Sequence, residues 1–177
     1  MALPQFTLVL GGASSGKSAF AESLCFKSTK TRIYIATAQA FDDEMRAKIS
    51  DHRSQRGPDW LTIEAPLDVK SALATCTIGQ IVLLDCATLW LSNILLADQD
   101  IAAACASLLA ALTTCPAHVI VVSNEVGHGI VPDNKLARQF RNAQGRLNQL
   151  LAAQADLVVQ VTAGLPQTLK GEAGLLT

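Results

Sequence analysis

The chain has 177 residues, of which 50% are hydrophobic and 16% are charged, and its formal net charge is −1. This length and apolar content suit one globular domain and exclude a disordered or fibrous protein. The charge balance argues against a nucleic-acid-binding protein, and the longest nearly apolar stretch, 101–112, is shorter than the roughly 20 residues that span a bilayer. The beginning, MALPQF, lacks the features of a signal peptide, and five scattered cysteines argue against a disulfide framework or a zinc site. We therefore expect a cytoplasmic protein without a transmembrane segment.

Short apolar runs alternate with helical patterns along the chain. The runs predict buried strands at 6–10, 33–36, 81–84, 119–122 and 157–161. The helical patterns predict helices at 17–27, 42–54, 67–75, 87–113 with a break near 97–100, and 133–154. This alternation predicts an α/β fold in one domain, 1–177, with a mostly parallel sheet that binds ligands at the carboxyl ends of its strands. Residues 163–177 show no helical period, so we expect an antiparallel edge hairpin or a loose tail there.

A phosphate-binding loop follows the first predicted strand. Residues 11–18 read GGASSGKS, the Gly-x-x-x-x-Gly-Lys-Ser pattern whose glycines let backbone N–H groups point at a triphosphate. The helix that begins at Lys17 adds its positive end, and the lysine would neutralise phosphate oxygens. The predicted nucleotide-binding residues of this loop are Gly11, Gly12, Ala13, Ser14, Ser15, Gly16, Lys17 and Ser18. The alternative is a glycine-rich turn that matches by chance, which the flanking strand and amphipathic helix argue against.

An acidic residue, Asp85, ends the third predicted strand, IVLLD. In phosphate-loop proteins a carboxylate in this position completes the shell of Mg²⁺, together with the serine of the loop. Asp85 also precedes a predicted helix, and a helix cap is compatible with the metal role. We therefore predict Mg²⁺ as cofactor, with Ser18 and Asp85 as its protein ligands.

The predicted helix 42–54 carries a histidine whose role the residues alone leave open. Met45, Ile49 and His52 share one helical face, which favours a packed structural histidine. Arg53 and Arg56 follow immediately, and cationic neighbours lower a histidine pKa and leave a ring nitrogen unprotonated. His52 is therefore also a candidate nucleophile beside phosphate groups.

These motifs together resemble the bifunctional adenosylcobinamide kinase / adenosylcobinamide-phosphate guanylyltransferase family of cobalamin biosynthesis. Each motif of that family has matching residues in the same order, including YIAT, W-x-T-x-E and the N-E-V-G-x-G-I-V-P loop. The matching stretches are 11–18, 34–37, 43–52, 60–64, 83–86, 124–132 and 137–149. The match is collinear from about residue 6 to 170, which makes the combination far more specific than one motif.

The resemblance implies a RecA-like P-loop fold and two reactions. ATP or GTP would phosphorylate the aminopropanol hydroxyl of adenosylcobinamide, and GMP from GTP would then pass through a covalent bond to His52 onto that phosphate, with Lys17 stabilising the phosphate charge. It implies a homotrimer whose partners are this corrinoid and the nucleotides, with no nucleic acid. It carries nucleotide contacts onto Thr37, Ala38, Gln39, Arg53, Ser54, Gln55, Arg56, Glu64 and Asp85. Without the family, Glu64 would be interpreted as a solvated acid.

The loop 124–132 and the helix 133–154 lie late in the chain. We expect the loop to shape the corrinoid or nucleotide pocket, with His128 in a variable position and His118 on the surface; the alternative is a structural turn. On the helix we expect Leu136, Phe140, Leu147, Leu150 and Leu151 to face the core. Arg138, Arg141, Asn142, Gly145 and Arg146 would form a polar face for an anionic substrate, a neighbouring subunit or solvent.

Two positions depart from the family pattern. Ser14 replaces an arginine in the phosphate loop, and Asn142 replaces an aspartate in the late helix. Neither removes Lys17, Asp85 or His52, but the balance of the two activities is less secure. Two other functions stay open: a P-loop kinase of another small metabolite, in which His52 is structural, and a nucleotide-gated regulatory protein.

Overall fold

The computed structural model describes residues 4–39, 57 and 59–172. Its centre is a seven-stranded sheet in the order β3-β2-β4-β5-β1-β6-β7. All neighbouring strands run parallel except β6 and β7, which form an antiparallel hairpin at one edge. The strands are β1 (Phe6–Gly11), β2 (Thr31–Ala36), β3 (Trp60–Glu64), β4 (Gln80–Asp85), β5 (His118–Asn124), β6 (Leu157–Thr162) and β7 (Leu165–Lys170).

Five helices lie within the described residues: α1 (Lys17–Phe26), α2 (Val69–Ala74), α3 (Ala87–Leu96), α4 (Ile101–Thr114) and α5 (Lys135–Gln154). The predicted break near 97–100 is confirmed, because Asp98 takes a φ of 53° and the Asp100 side chain caps α4. No described helix has both the length and the apolarity to cross a membrane. The predicted helix 42–54 lies outside the described residues.

The core has two parts, one on each face of the sheet. Alternate residues of β1 divide between them, with Leu8 and Leu10 on one face and Val9 on the other. The first face packs mainly against α2, α3, α4 and α5, and the second packs mainly against α1. Because β1 is buried along its whole length, it holds the loop that follows it in a fixed place.

Three sequence-based expectations need correction or completion. The strand β3 was not predicted from the residues, since it lies at a sheet edge and most of its side chains, such as Leu61, are exposed. His118 does not stand free on the surface: it begins β5, is half-buried, and its Nδ1 lies 2.9 Å from the Pro4 carbonyl oxygen. Of the segment 163–177, residues 163–172 are described, and there the edge hairpin is confirmed, with β7 pairing antiparallel to β6.

The buried face of α5 also differs from the prediction. Leu147 and Leu151 are buried as expected, but Leu136 is 50% exposed and Leu150 is 39% exposed. In their place the buried face carries two amides, Gln144 and Asn148. The helix therefore turns a partly polar face toward the sheet, and this face lies beside the functional edge described next.

Candidate nucleotide-binding site

The phosphate loop connects β1 to α1 and takes its shape from the backbone. Ser14 has a φ of 54° and Gly16 a φ of 89°, both in the left-handed region. The Ser15 N–H donates to the Gly12 carbonyl at 3.3 Å, which closes the turn, and α1 begins immediately afterwards at Lys17. The turn thereby directs the beginning of α1 into the loop.

The amino end of α1 has no capping side chain. The other four described helices are capped, through Asp68, Cys86, Asp100 and Asn134. A helix whose first N–H groups lack a side-chain partner offers them, with its positive end, to an anion. The difference therefore marks the beginning of α1 as an anion site.

Lys17 brings a positive charge to this loop. Its side chain is 9% exposed, and its Nζ donates to the Gly12 carbonyl at 3.1 Å. The ammonium therefore lies against the loop, close to the helix end. A phosphate held there would meet both backbone donors and a partly desolvated cation.

The β6–β7 hairpin supports the loop from the side. Its turn places Ala163 and Gly164 at φ values of 52° and 78°, the left-handed pair of a tight two-residue hairpin turn. The Gly164 N–H donates to the Ser15 carbonyl at 2.8 Å. A Cβ added to Gly16 would lie 3.2 Å from the Gly164 Cα, so the two backbones meet closely. Gly164 was missed by sequence reasoning, although an Ala-Gly pair between two strands is a hairpin signal.

Asp85 ends β4, in register with Val122 of the neighbouring β5. It is half-buried, and the peptide bond to Cys86 is cis. Burial raises the pKa of the Cys86 thiol to about 11, with a further rise from the Asp85 charge and an opposing effect from Lys17. The carboxylate at the end of β4 lies one strand away from the end of β1, where the phosphate loop begins, because only β5 separates these two strands. Ser18, in the first turn of α1, is half-buried.

Thr37 follows β2 and is fully buried. Its Oγ1 donates to the Cys86 carbonyl at 2.8 Å and accepts from the Cys86 N–H at 2.9 Å. Asn93 of α3 donates to the carbonyls of Thr37 and Pro66 at 2.8 and 2.9 Å. The Thr37 hydroxyl thus ties the ends of β2 and β4 together, and Asn93 ties both to α3. Asn93 was missed, although an amide inside the apolar stretch ATLWLSNILL is a visible signal.

The remaining predicted residues divide into two groups. Ala38 and Gln39 continue from Thr37 and are half-buried, while Glu64 ends β3 in register with Ala36 and is exposed. These residues lie at the same carboxyl edge as the phosphate loop. The others lie outside the described residues: His52, Arg53, Ser54, Gln55 and Arg56.

The end of β5 lies between the phosphate loop and Asp85, and buried polar groups hold it. Ser123 Oγ donates to Asn148 Oδ1 at 2.6 Å, and Gln144 Nε2 donates to both of those atoms at 2.9 Å. Asn148 also donates to the Asn124 carbonyl at 3.0 Å. We call Ser123, Gln144 and Asn148 the α5 polar cluster. It attaches α5 to the strand that pairs with β1, and sequence reasoning missed it because Gln144 and Asn148 are polar residues on a core-facing surface.

Gly127 of the loop after β5 and the polar side of α5 border an open groove of about 550 Å³. The loop begins against β1, since the Glu125 N–H donates to the Gly11 carbonyl at 3.0 Å. We call this space the α5 groove; its lining residues are Gly127, Arg141, Asn142, Ala143, Gly145, Arg146 and Gln149. His128 and Ile130 of the same loop are exposed. The groove therefore opens beside the phosphate loop at the functional edge.

Comparison with solved structures supports a P-loop NTPase fold. The ATPase of a bacterial type III secretion system superposes with a TM-score of 0.57 at 9% identity, over 99% of this chain and 61% of its own. A Pyrococcus horikoshii OT3 protein studied as PH0250 gives a TM-score of 0.51 at 12% identity, over 98% and 90% of the two chains. At such low identities these similarities concern the fold alone.

Comparison of sequences identifies the family as well as the fold. The bifunctional adenosylcobalamin biosynthesis protein CobP of Pseudomonas aeruginosa is 44% identical, over 93% of this chain and 97% of its own. The corresponding CobU protein of Escherichia coli is 42% identical, over 92% and 98%. The profile of the cobinamide kinase / cobinamide phosphate guanyltransferase family matches residues 7–169. This chain therefore belongs to the cobinamide kinase / cobinamide phosphate guanyltransferase family of enzymes.

Proposed function

We propose that this enzyme phosphorylates adenosylcobinamide with ATP or GTP and then transfers GMP from GTP onto the new phosphate. The observation that carries the proposal is the family match along residues 7–169, because that family is named for both the kinase and the guanyltransferase activity. The uncapped amino end of α1 and the adjacent Lys17 supply the nucleotide site that both reactions need. We place the enzyme in the cytoplasm, acting as a homotrimer on a corrinoid.

In the kinase step, the aminopropanol hydroxyl oxygen attacks the γ-phosphorus of the nucleotide. A new P–O bond forms, the bond to the leaving nucleoside diphosphate breaks, and the hydroxyl proton passes to solvent. The N–H groups of the phosphate loop and the Lys17 ammonium stabilise the charge on the transferring group.

The residues present fit Mg²⁺. Among the described residues there is no cluster of three or more histidine, cysteine, aspartate or glutamate side chains that could hold a metal. Mg²⁺ typically binds through one or two protein oxygens, and substrate phosphates complete its shell. Ser18 and Asp85 would hold it, and the ion would neutralise phosphate charge.

In the transferase step, the imidazole of His52 attacks the α-phosphorus of GTP. A P–N bond forms, the bond to pyrophosphate breaks, and the histidine carries GMP. A phosphate oxygen of the acceptor then attacks the same phosphorus, the P–N bond breaks, and the electron pair returns to the imidazole. The product is adenosylcobinamide-GDP. The support for His52 is its position in the motif, followed by Arg53, Ser54, Gln55 and Arg56, which we propose as nucleotide contacts together with Thr37, Ala38, Gln39 and Glu64.

The test is incubation with Mg²⁺ and GTP labelled at the α-phosphate, without corrinoid. We expect the wild-type protein to retain label after denaturation, to lose it in acid and to keep it in base, as a phosphoramidate does. His52→Ala should acquire none, while His128→Ala, which removes an exposed histidine from the same chain, should label normally. Folded, GTP-binding wild-type protein that acquires no label would contradict the covalent step and favour a kinase of another metabolite.

A further inference from the structure

The four arginines in the described part of the chain fall into two pairs. Arg32 donates to two backbone carbonyls and lies 4.7 Å from the centre of the Phe26 ring. Arg138 donates to two backbone carbonyls at 2.9 and 2.6 Å. Arg141 and Arg146, in contrast, have no hydrogen bond or ion pair with any described residue. A guanidinium group carries five N–H donors and a permanent charge, so this second pair is equipped to bind an anion.

Both of these arginines line the α5 groove, with Gly145 between them. A Cβ added to Gly145 would meet nothing within 4 Å, so no packing requirement explains a glycine in the middle of this helix. Glycine costs helix stability relative to alanine, but it leaves the helix backbone bare. The bare surface and the two guanidinium groups together form one side of a space of about 550 Å³, large enough for a sizeable ligand.

The position of the groove limits which anion it serves. The nucleotide phosphates already have a site in the backbone of the phosphate loop. The loop that borders the groove begins with Glu125, whose N–H donates to the Gly11 carbonyl at the start of the phosphate loop. The two sites therefore adjoin at this end of the sheet. The acceptor of the first reaction presents an uncharged hydroxyl at its reacting end, whereas the acceptor of the second presents a phosphate monoester. Arg141 and Arg146 give the groove the positive charge that a phosphate monoester on the second acceptor would bind.

We infer that the α5 groove binds the phosphate monoester of adenosylcobinamide phosphate, and that Arg141 and Arg146 distinguish this acceptor from unphosphorylated adenosylcobinamide. This inference rests on the proposed function. The two guanidinium groups form charge-assisted hydrogen bonds to the phosphate oxygens, and the absence of a side chain at Gly145 lets the phosphorylated arm lie against α5. The α5 polar cluster attaches the helix to the end of β5.

The test measures how strongly each corrinoid binds, by equilibrium dialysis of the full-length protein with adenosylcobinamide and with its phosphate. We expect Arg141→Gln and Arg146→Gln each to weaken phosphate-ester binding on the order of tenfold, the usual effect of losing a charged hydrogen-bond partner. Binding of adenosylcobinamide should change less than twofold, so that the preference for the phosphate disappears. Lys135→Gln removes an exposed cation from the same helix outside the groove, and it should leave the preference unchanged.

A second pair of variants separates charge from shape. Gly145→Gln and Gly145→Glu add side chains of nearly equal size, so any difference between them reports charge. We expect Gly145→Glu to bind the phosphate ester about tenfold more weakly than Gly145→Gln does, with similar binding of adenosylcobinamide by both. Circular dichroism of the four variants verifies that they are folded.

The outcomes separate the two proposals. If wild-type protein acquires label from GTP but the preference for the phosphate ester persists in every variant, the inference is wrong and the proposed function stands. If wild-type protein neither acquires label nor binds either corrinoid, both are wrong. Loss of the preference in both arginine variants, with wild-type labelling intact, supports both.

Discussion

The phosphate loop and the α5 groove lie side by side at the carboxyl edge of the sheet, but different parts of the chain form them. The loop presents backbone N–H groups, and its shape depends on left-handed residues such as Ser14 and Gly16. The α5 groove presents side chains on a straight helix, including two guanidinium groups without a described partner. The phosphate loop is therefore a backbone site with a single lysine. The α5 groove is a side-chain site around a glycine in the middle of a helix.

This contrast explains how one chain can bind two phosphate-bearing substrates in different ways. Backbone donors recognise any polyphosphate, because every residue supplies the same N–H group. Side chains recognise a particular partner, because their charge and reach depend on residue type. We therefore expect substitutions in the loop to affect both reactions, and substitutions in the groove to affect one acceptor. The following experiments test whether the effects of loop and groove substitutions divide in this way.

The largest effect should come from Lys17→Met. The substitution keeps the length of the side chain and removes the ammonium that lies against the Gly12 carbonyl. Because both reactions develop charge on a phosphoryl group, kcat for each should fall on the order of 10²- to 10³-fold. Steady-state assays of phosphorylation and of GMP transfer measure this, with Lys70→Met, an exposed lysine on α2, as control. A loss confined to one reaction would show that the nucleotide site is not shared.

The next effect concerns the α5 polar cluster. Asn148→Leu removes the three hydrogen bonds that Asn148 makes with Ser123, Gln144 and the Asn124 carbonyl, and only the bond from Gln144 to Ser123 remains in the cluster. Unfolding in urea should show a loss of about 3 kcal/mol, since buried polar groups without partners are costly. Asn142→Leu, at an exposed position of the same helix, should stay within about 0.5 kcal/mol.

Asn148→Leu also tests whether the two sites are separable. We expect its GTP affinity to stay within about twofold of wild type while adenosylcobinamide phosphate binds more weakly, because the substitution disturbs α5 rather than the phosphate loop. Titration with a fluorescent GTP analogue and equilibrium dialysis measure the two affinities. An equal loss of both would mean that the end of β5 couples the loop to the groove.

A smaller effect should follow from Gly16→Ala. The residue has a φ of 89°, and its new Cβ would lie 3.2 Å from the Gly164 backbone. Both features are unfavourable, and together they should cost about 2 kcal/mol of unfolding free energy. Gly12→Ala is the matched control, because a Cβ there meets nothing within 4 Å, and its stability should be nearly unchanged. If both variants unfold alike, the hairpin does not support the loop.

The smallest effect should come from Ser14→Arg, which introduces the arginine that the family resemblance leads us to expect at this position. Ser14 is exposed, so the added guanidinium should strengthen GTP binding only about threefold, as solvent screens its charge. Ser14→Gln is the control for side-chain size. A gain of the same size in both variants would rule out a charge effect.

Strong local patterns were predictable from the sequence, and contacts made across the fold were not. The buried strands and the phosphate loop have periodicity or spacing that is visible within a few residues. The strand β3 has neither, because it becomes a strand through pairing with β2 at a sheet edge. Gln144 and Asn148 look solvent-exposed by type, and their burial depends on partners more than 20 positions away, Ser123 and Asn124.

Asn93 and Gly164 were also missed because their contacts are with residues far away in the sequence. Asn93 bonds to carbonyls that precede it in the chain by up to 56 positions, and Gly164 contacts a loop near the opposite end of the sequence. His52 shows the limit of residue-based reasoning, since its pattern alone favoured a packed structural histidine, and the family resemblance reversed that interpretation. Its nucleophilic role stays a prediction.

The β6–β7 hairpin has a consequence for the order in which the protein becomes active during synthesis. The phosphate loop leaves the ribosome well before its backbone partner Gly164, because Gly164 lies much later in the chain. The strand β1 likewise cannot pair on both sides until β5 and β6 have been synthesised. Nascent chains halted before residue 164 therefore lack a supported nucleotide site. A ribosome that stalls between the phosphate loop and residue 164 would therefore carry a chain that cannot yet hold its nucleotide.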